Sequence, residues 1–201
     1  MYFFYSRNLA TMMDDELEIA IGVRIRQLRV AQSLTLDELA VASGVSRAMI
    51  SRIERAEASP TASLLGRLCA ALGLSLSTFF AEEGRAVSPL SRRDDQLVWR
   101  DPETGYLRRS VSPPGTGSLI DLVEVVLPAA ARVSFPPHAA SHGMTQHIWL
   151  FEGELEMTTA DAVHRLKPGD CLFMPVGEGH AFRNPSDQPA RYCVVLNRGG
   201  R

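Results

Sequence analysis

Between Asp14 and Val30 the apolar residues Leu17, Ile21, Ile25 and Leu28 recur at spacings of three and four, which predicts an amphipathic first helix. Asp14, Asp15 and Glu16 at its start and Arg24, Arg26 and Arg29 in its later half suit the dipole of a helix over that span. After Leu34 the pattern returns in two shorter bursts. Thr35 and Glu38 spell a T-x-x-E capping box, in which hydroxyl and carboxylate each satisfy an orphan backbone donor. Leu36, Leu39, Ala40 and Ala42 follow as an apolar side, and Ser43-Gly44 ends this second helix, glycine being the residue that tolerates a left-handed turn. Ser46 is the N-cap of a third helix. In it Met49, Ile50 and Ile53 fall on the inward side, and Arg47, Ala48, Ser51, Arg52 and Arg55 on the outward one. Ser59-Pro60-Thr61 opens a fourth helix, with Pro60 expected in the first turn, and Gly73 closes it. Helical periodicity stops after Phe80.

From about Val98 the grammar is that of strands. Ser118 to Leu127 alternates and is rich in β-branched residues. His147 to Met157 is apolar and broken by a Glu152-Gly153 turn, while Cys171 to Met174 and Tyr192 to Leu196 read as short buried strands. Short strands parted by Gly and Pro over about 100 residues predict a β-sandwich or jelly-roll barrel. Two domains follow: an all-α domain over 14–80, of five helices if Leu74 to Phe80 adds a last short one, and an all-β domain over 101–201. The polar, proline-bearing stretch 81–100 is the expected linker.

Composition narrows the function. A chain of 201 residues has room for both domains. Its formal net charge of -2 excludes a generally polyanion-binding protein, so any affinity for nucleic acid has to come from a local patch. Among the 21 basic residues only Lys167 is lysine; arginine is the better bidentate reader of guanine. Cys69, Cys171 and Cys193 stand singly in apolar surroundings, the usage of buried, reduced thiols in a cytoplasmic protein. Met1-Tyr-Phe-Phe-Tyr is too short, and too soon interrupted by Ser6-Arg7-Asn8, for a signal peptide or a membrane span. It is expected to be a loose arm or an early start ahead of Met12 and Met13.

The second and third helices carry the first piece of chemistry. A capping box, a Ser-Gly turn, a second serine cap and a basic outer face, in that order, describe a helix-turn-helix whose second helix enters the major groove of DNA. A helical hairpin with a solvated arginine face would not need all four together. The stretch Ile21 to Phe80 resembles the phage-repressor (xenobiotic-response-element, or XRE) helix-turn-helix family over its whole length. The likeness lies in I-G-V-R-I-R-Q-L-R, in G-V-S-R-A-M-I-S-R-I-E-R and in S-P-T-A-S-L-L-G-R-L-C-A-A-L-G-L-S-L-S-T-F-F. The resemblance implies that Arg47, Ala48 and Arg52 read bases, with Ser51 near the same face. It places Thr35, Ser46 and Thr61 near phosphates at helix starts. Ala56 stands where the family usually has glycine, so the turn there is expected to be strained or altered.

The second domain carries another motif. Gly169-D-C-L-F-M-Pro175-V-Gly177-E-G-His180-A-F-R-Asn184 fits G-x5-P-x-G-x2-H-x3-N at every defined position, and so resembles the second motif of the cupin family. The family's first motif, G-x5-H-x-H-x3-4-E-x6-G, is only partly present. Counting back from Gly153 puts Gln146 where the family has its glutamate, His142 at the second histidine and Ala140 at the first. His138 has the same strand parity but lies roughly 13 Å further along an extended chain. It resembles the histidine of the P-H-x-x-G segment in sensor cupins fused to this type of DNA-binding domain, which implies a bend. A metallo-enzyme cupin needs three or four ligands and an open position. Two histidines and a neutral glutamine favour a ligand-binding or structural role and require no cofactor. A divalent ion at His142, Gln146 and His180 would be zinc or nickel in preference to a catalytic iron. His147 and His164 read as surface residues, Arg132 and Arg183 as solvated strand edges.

The two resemblances imply a cytoplasmic, sequence-specific transcriptional regulator, with no enzymatic activity and no membrane attachment. The helical domain would bind a double-stranded DNA operator. The cupin domain would sense a small molecule, an amino acid or similar metabolite, in a pocket holding His138, His142, Gln146 and His180. Repressor–cupin fusions imply a homodimer, with recognition helices one DNA turn, roughly 34 Å, apart. The alternative from another class is a metal-dependent cupin oxygenase or isomerase with an accessory helix-turn-helix. Metal analysis with a turnover assay separates the two.

Overall fold

Five helices and ten strands are described in a computed structural model that covers residues 3–80, 88–137 and 143–199, with side chains from residue 16 onward. The chain forms two compact units, Met1–Pro60 and Thr61–Arg201.

In the first unit α1 spans Phe3–Ala31. It begins well before Asp14, so the segment expected to be a loose arm is helical, and the acidic residues 14–16 lie inside the helix instead of at its start. No capping pattern announces Phe3, and periodicity alone does not mark a helix start. α2 (Leu36–Ser43) and α3 (Arg47–Glu54) follow as predicted. Leu39, Val45, Ile50 and Ile53 bury their side chains, as do Ile21 and Ile25 of α1. Met49 is only half-buried and Ala42 is exposed. α1 and α3 cross at Gly22, where a Cβ would meet the Ile53 carbonyl oxygen at 2.3 Å, a distance that only glycine permits. Arg29 of α1 donates to both carboxylate oxygens of Glu54, at 2.6 and 2.8 Å, and clamps the far end of that crossing.

The second unit opens with α4 (Ala62–Ala71) and α5 (Leu76–Phe80). Thr61 is the N-cap of α4, so Pro60 precedes the cap instead of occupying the first turn. Of the predicted linker, residues 81–87 lie outside the described residues. Its end is structured, with a short 3-10 turn at Arg93–Asp95 and the strand β1 (Val98–Arg100). The strands β2 (Leu107–Ser110), β3 (Ile120–Leu127), β4 (Arg132–Phe135), β5 (Thr145–Glu152) and β6 (Leu155–Thr158) come next. β7 (Val163–Leu166), β8 (Cys171–Pro175), β9 (His180–Arg183) and β10 (Ala190–Asn197) complete the set. They form two antiparallel sheets, ordered β1-β2-β3-β10-β5-β8 and β4-β9-β6-β7. Alternation in β5 turns Gln146, Ile148 and Leu150 inward and His147 and Trp149 outward. The Glu152-Gly153 turn requires its glycine: φ is +80° and a Cβ would lie 2.6 Å from the Pro189 carbonyl oxygen.

Helices α4 and α5, predicted as part of the helical domain, pack on the strands. The Ala62 N–H donates to Asp101 Oδ2 at 3.2 Å, the ring centroids of Phe80 and Trp99 lie 5.5 Å apart, and Gly66 faces the Phe135 ring. The cysteines do not all follow expectation: Cys69 is buried, Cys193 partly so, and Cys171 is exposed. Cys171 lies on the outward face of its sheet, opposite the exposed Trp149 of β5. Among the described residues no helix is long and apolar enough to cross a membrane.

Candidate functional site

The face of α3 is built by local rules. The Ser46 side chain accepts from the Met49 N–H and starts the helix, and burial of Ile50 and Ile53 fixes its rotation. Arg47, Ala48 and Arg52 are thereby exposed and Ser51 is half-exposed. On the neighbouring helix Thr35 and Glu38 form the full capping box. Two hydrogen bonds from Thr35 hold the Glu38 carboxyl below its ordinary pKa. Two features of this face lie beyond the sequence pattern. Arg47 Nε pairs with Asp37 Oδ1 at 3.3 Å. Arg55 forks onto both oxygens of Glu57, at 2.7 Å each, and also donates to the Ser51 hydroxyl, so Ser51 is already engaged within the protein. Arg52 donates to the Glu57 carbonyl at 3.3 Å. Thr61 belongs to the second unit, where its hydroxyl accepts from the Leu64 N–H.

The turn after α3 is not altered at Ala56 but carries the strain expected there. Its N–H donates to the Ile53 carbonyl and that of Glu57 to the Arg52 carbonyl, a complete Schellman closure. The left-handed position in that closure is Ala56, with φ +55°.

In the second unit the cupin motif brings Gln146 and His180 together, their Nε2 atoms 3.5 Å apart. This is the juxtaposition the register from Gly153 predicts. His180 Nδ1 lies 3.1 Å from the Glu178 carbonyl oxygen and donates to it, so the Nε2 lone pair faces Gln146. Burial pushes the imidazole below its ordinary pKa, so it is neutral at pH 7. His138 and His142, along with Ala140, lie outside the described residues. Among the described residues no group of three His, Cys, Asp or Glu side chains is placed to hold a metal. Among the described residues, one imidazole beside a neutral amide does not make a metal centre. Asn184, the last residue of the motif, is fully buried and satisfied, donating to the Leu127, Pro128 and Gln188 carbonyls and accepting from Ser186. Its role is to fix the strand ends. Arg132 and Arg183 are exposed as expected, but β9 is not an edge strand and Arg183 donates to Glu156 Oε2 at 2.6 Å.

Gln146 and His180 open onto a cavity of about 110 Å³. Phe135, Phe182, Val194 and Leu196 give it apolar walls, and Gly66, Cys69 and Ser77 close it from α4 and α5. One charged residue lines it, Arg108 of β2, buried at 4 % exposure. The sequence reading missed this residue. Arginine in a four-residue strand reads as solvated, and the one local sign that it turns inward is its place two residues after Tyr106, which is buried just ahead of β2.

Comparison with known proteins agrees with both halves. Residues 25–79 match the helix-turn-helix family and residues 124–196 the cupin domain family. The chain is 24% identical to the HTH-type transcriptional regulator SutR of Escherichia coli K12, over 88% of this chain and 94% of that protein. To the HTH-type transcriptional regulator PuuR of the same organism it is 27% identical, over 92% and 96%. A crystal structure of an HTH_3 family transcriptional regulator from Vibrio cholerae has the same fold, with a TM-score of 0.73 and 24% identity over 92% of this chain and 98% of that one.

Proposed function

We propose that this chain, which joins an XRE-type helix-turn-helix to a cupin domain and belongs with the transcriptional regulators so built, binds an operator through α3 and answers to a small molecule in the cupin cavity. One observation carries the DNA half: burial of Ile50 and Ile53 turns Arg47, Ala48 and Arg52 outward on a helix whose start is capped by Ser46. Residues 14–80 act as the DNA-binding domain, with Thr35, Ser46 and Thr61 near phosphates. Residues 101–201 act as the sensor, in a jelly-roll arrangement of the two sheets, and 81–100 connect them. His138, His142, Gln146 and His180 are assigned to the effector pocket, and the pairing of Gln146 with His180 supports that assignment.

The protein works in the cytoplasm, as a regulator and not as an enzyme. That reading is supported by relatives named as regulators over nearly their whole length and by a glutamine where metallo-cupins carry a glutamate. It works as a homodimer. Trp149 and Phe173 are 49% and 57% exposed on the outward face of β5 and β8, with the His147 ring tilted against Phe173 at 5.0 Å, and this apolar face gains by pairing with its copy. Selection from random duplexes, followed by footprinting, tests the reading. A pseudo-palindrome with half-sites about one turn apart is the expected result. Failure to enrich any sequence refutes it.

A further inference from the structure

Arg108 brings a charge into the cavity that nothing in the regulator reading uses. Its hydrogen bonds go to hydroxyls, from Nη1 to Ser110 Oγ at 2.9 Å and from Nη2 to Ser77 Oγ at 2.7 Å, and among the described residues none goes to a carboxylate. The guanidinium lies over the Phe80 ring at 5.1 Å. Burial presses it below its ordinary pKa, and the nearby Asp121 carboxylate, already paired with Arg198, offsets this only in part. A buried charge whose hydrogen bonds all go to neutral groups is costlier than one bonded to an anion, and it is relieved when an anion arrives. Two of the five N–H donors are taken, and the planar fork matches a carboxylate in shape. The opposite walls are hydrocarbon: Phe135, Phe182, Val194 and Leu196. Size limits the occupant. A cavity of about 150 Å³ holds benzene, so one of about 110 Å³ takes at most about six non-hydrogen atoms.

We propose that this cavity binds a short monocarboxylate of three or four carbons, its carboxylate on the Arg108 guanidinium and the Ser77 hydroxyl and its chain against Phe135, Phe182, Val194 and Leu196. The proposal names the effector class and rests on the reading of the second unit as a sensor. Because Ser77 lies on α5 and Arg108 on β2, the anion ties the helix to the sheet.

Calorimetric titration of the full-length chain with butyrate, butyramide and butylamine tests it. Butyrate should bind and raise the melting temperature, with the isosteric amide and the amine at least tenfold weaker. Propionate should be about fourfold weaker than butyrate, the worth of one buried methylene, and octanoate should be excluded. Arg108→Met should lose the preference for butyrate over butyramide. If that variant does not fold, Ser77→Ala replaces it and should weaken butyrate several-fold. Equal binding of butyrate and butyramide overturns the proposal, as does undiminished butyrate binding by folded Arg108→Met, or by Ser77→Ala where that variant stands in. Octanoate binding tighter than butyrate also overturns it, since that places the anion in the wider cleft that Arg108 lines with Asp121 and Arg198. Operator selection by the same preparation is read in parallel. A protein that selects an operator and ignores every carboxylate loses the proposal and keeps the regulator reading. One that binds butyrate and selects no DNA does the reverse.

Discussion

Arg47 is assigned to base reading, yet in the free protein it faces Asp37, and the two demands can be separated by mutation. The pair is 3.3 Å apart with side chains 63% and 76% exposed, so it contributes about 0.2–1 kcal/mol and no more. Arg47→Ala should therefore leave the melting temperature almost unchanged. On the operator it should cost about 1–3 kcal/mol, roughly five- to 150-fold in Kd, the worth of one bidentate base contact. Asp37→Asn should act in the opposite direction. It frees Arg47 from a pair that DNA has to break, and up to about 1 kcal/mol returns as up to roughly fivefold tighter binding.

The four corners of a double-mutant cycle, measured by fluorescence anisotropy on operator and on random duplex at several salt concentrations, give the coupling directly. In the Arg47→Ala background Asp37→Asn should no longer tighten specific binding. If Arg47 touches a phosphate instead, its removal lowers the salt slope by about 0.9 and weakens operator and random DNA alike. Equal losses on the two duplexes, with Asp37→Asn equally effective in both backgrounds, would refute the base-reading assignment.

Three further outcomes are expected. Ala56→Gly should stabilise the protein by about 0.5–1 kcal/mol in thermal unfolding, because relief of a left-handed alanine, about 1–2 kcal/mol, outweighs the added freedom of glycine in the unfolded chain; a lower melting temperature contradicts this. Trp149→Glu should convert a dimer to monomers in light scattering, and an unchanged mass would place the interface elsewhere. Burial lowers the pKa of His180, so below about pH 6.5 the unfolded chain takes up a proton that the folded chain refuses; stability is whole above that pH and declines as it falls toward the folded value. His180→Gln should flatten that decline between pH 7 and 5 relative to the wild type, and identical pH profiles would remove His180 as its source.

What the sequence shows and what it hides divide by range. The caps of α2 and α3, the inward turn of Ile50 and Ile53 and the left-handed residue at Ala56 are decided within a few neighbours, and all were legible. The juxtaposition of Gln146 and His180 was legible too, since two fixed spacings and a glycine set the register of β5 and β9. The start of α1 was not, because nothing local marks it. Arg108 was hidden for a different reason. Whether a four-residue strand turns its arginine in or out depends on what packs above it, here Ser77 and Phe80, some thirty residues earlier in the chain. Cys171 was hidden likewise: its neighbours are apolar, but it shares the outward face of its sheet with the exposed Trp149 and Phe173.

The position of α4 and α5 changes how sensing and DNA binding have to be separated by experiment. The linker predicted at 81–100 invites deletion of residues 101–201 to isolate a DNA-binding fragment. That cut removes Asp101, which accepts from the first N–H of α4, and Arg108, which covers Phe80; Phe79 and Phe80 are 2% and 6% exposed in the intact unit. A fragment that loses DNA binding after such a cut has lost packing, not an effector. Point changes inside the cavity avoid the confusion. Gly66, Cys69 and Ser77, residues within the helix-turn-helix match, form part of the cavity wall. An effector alters DNA affinity only through its differential affinity for two arrangements, and an occupant held between β2 and α5 can favour one arrangement of these helices without acting through residues 81–100.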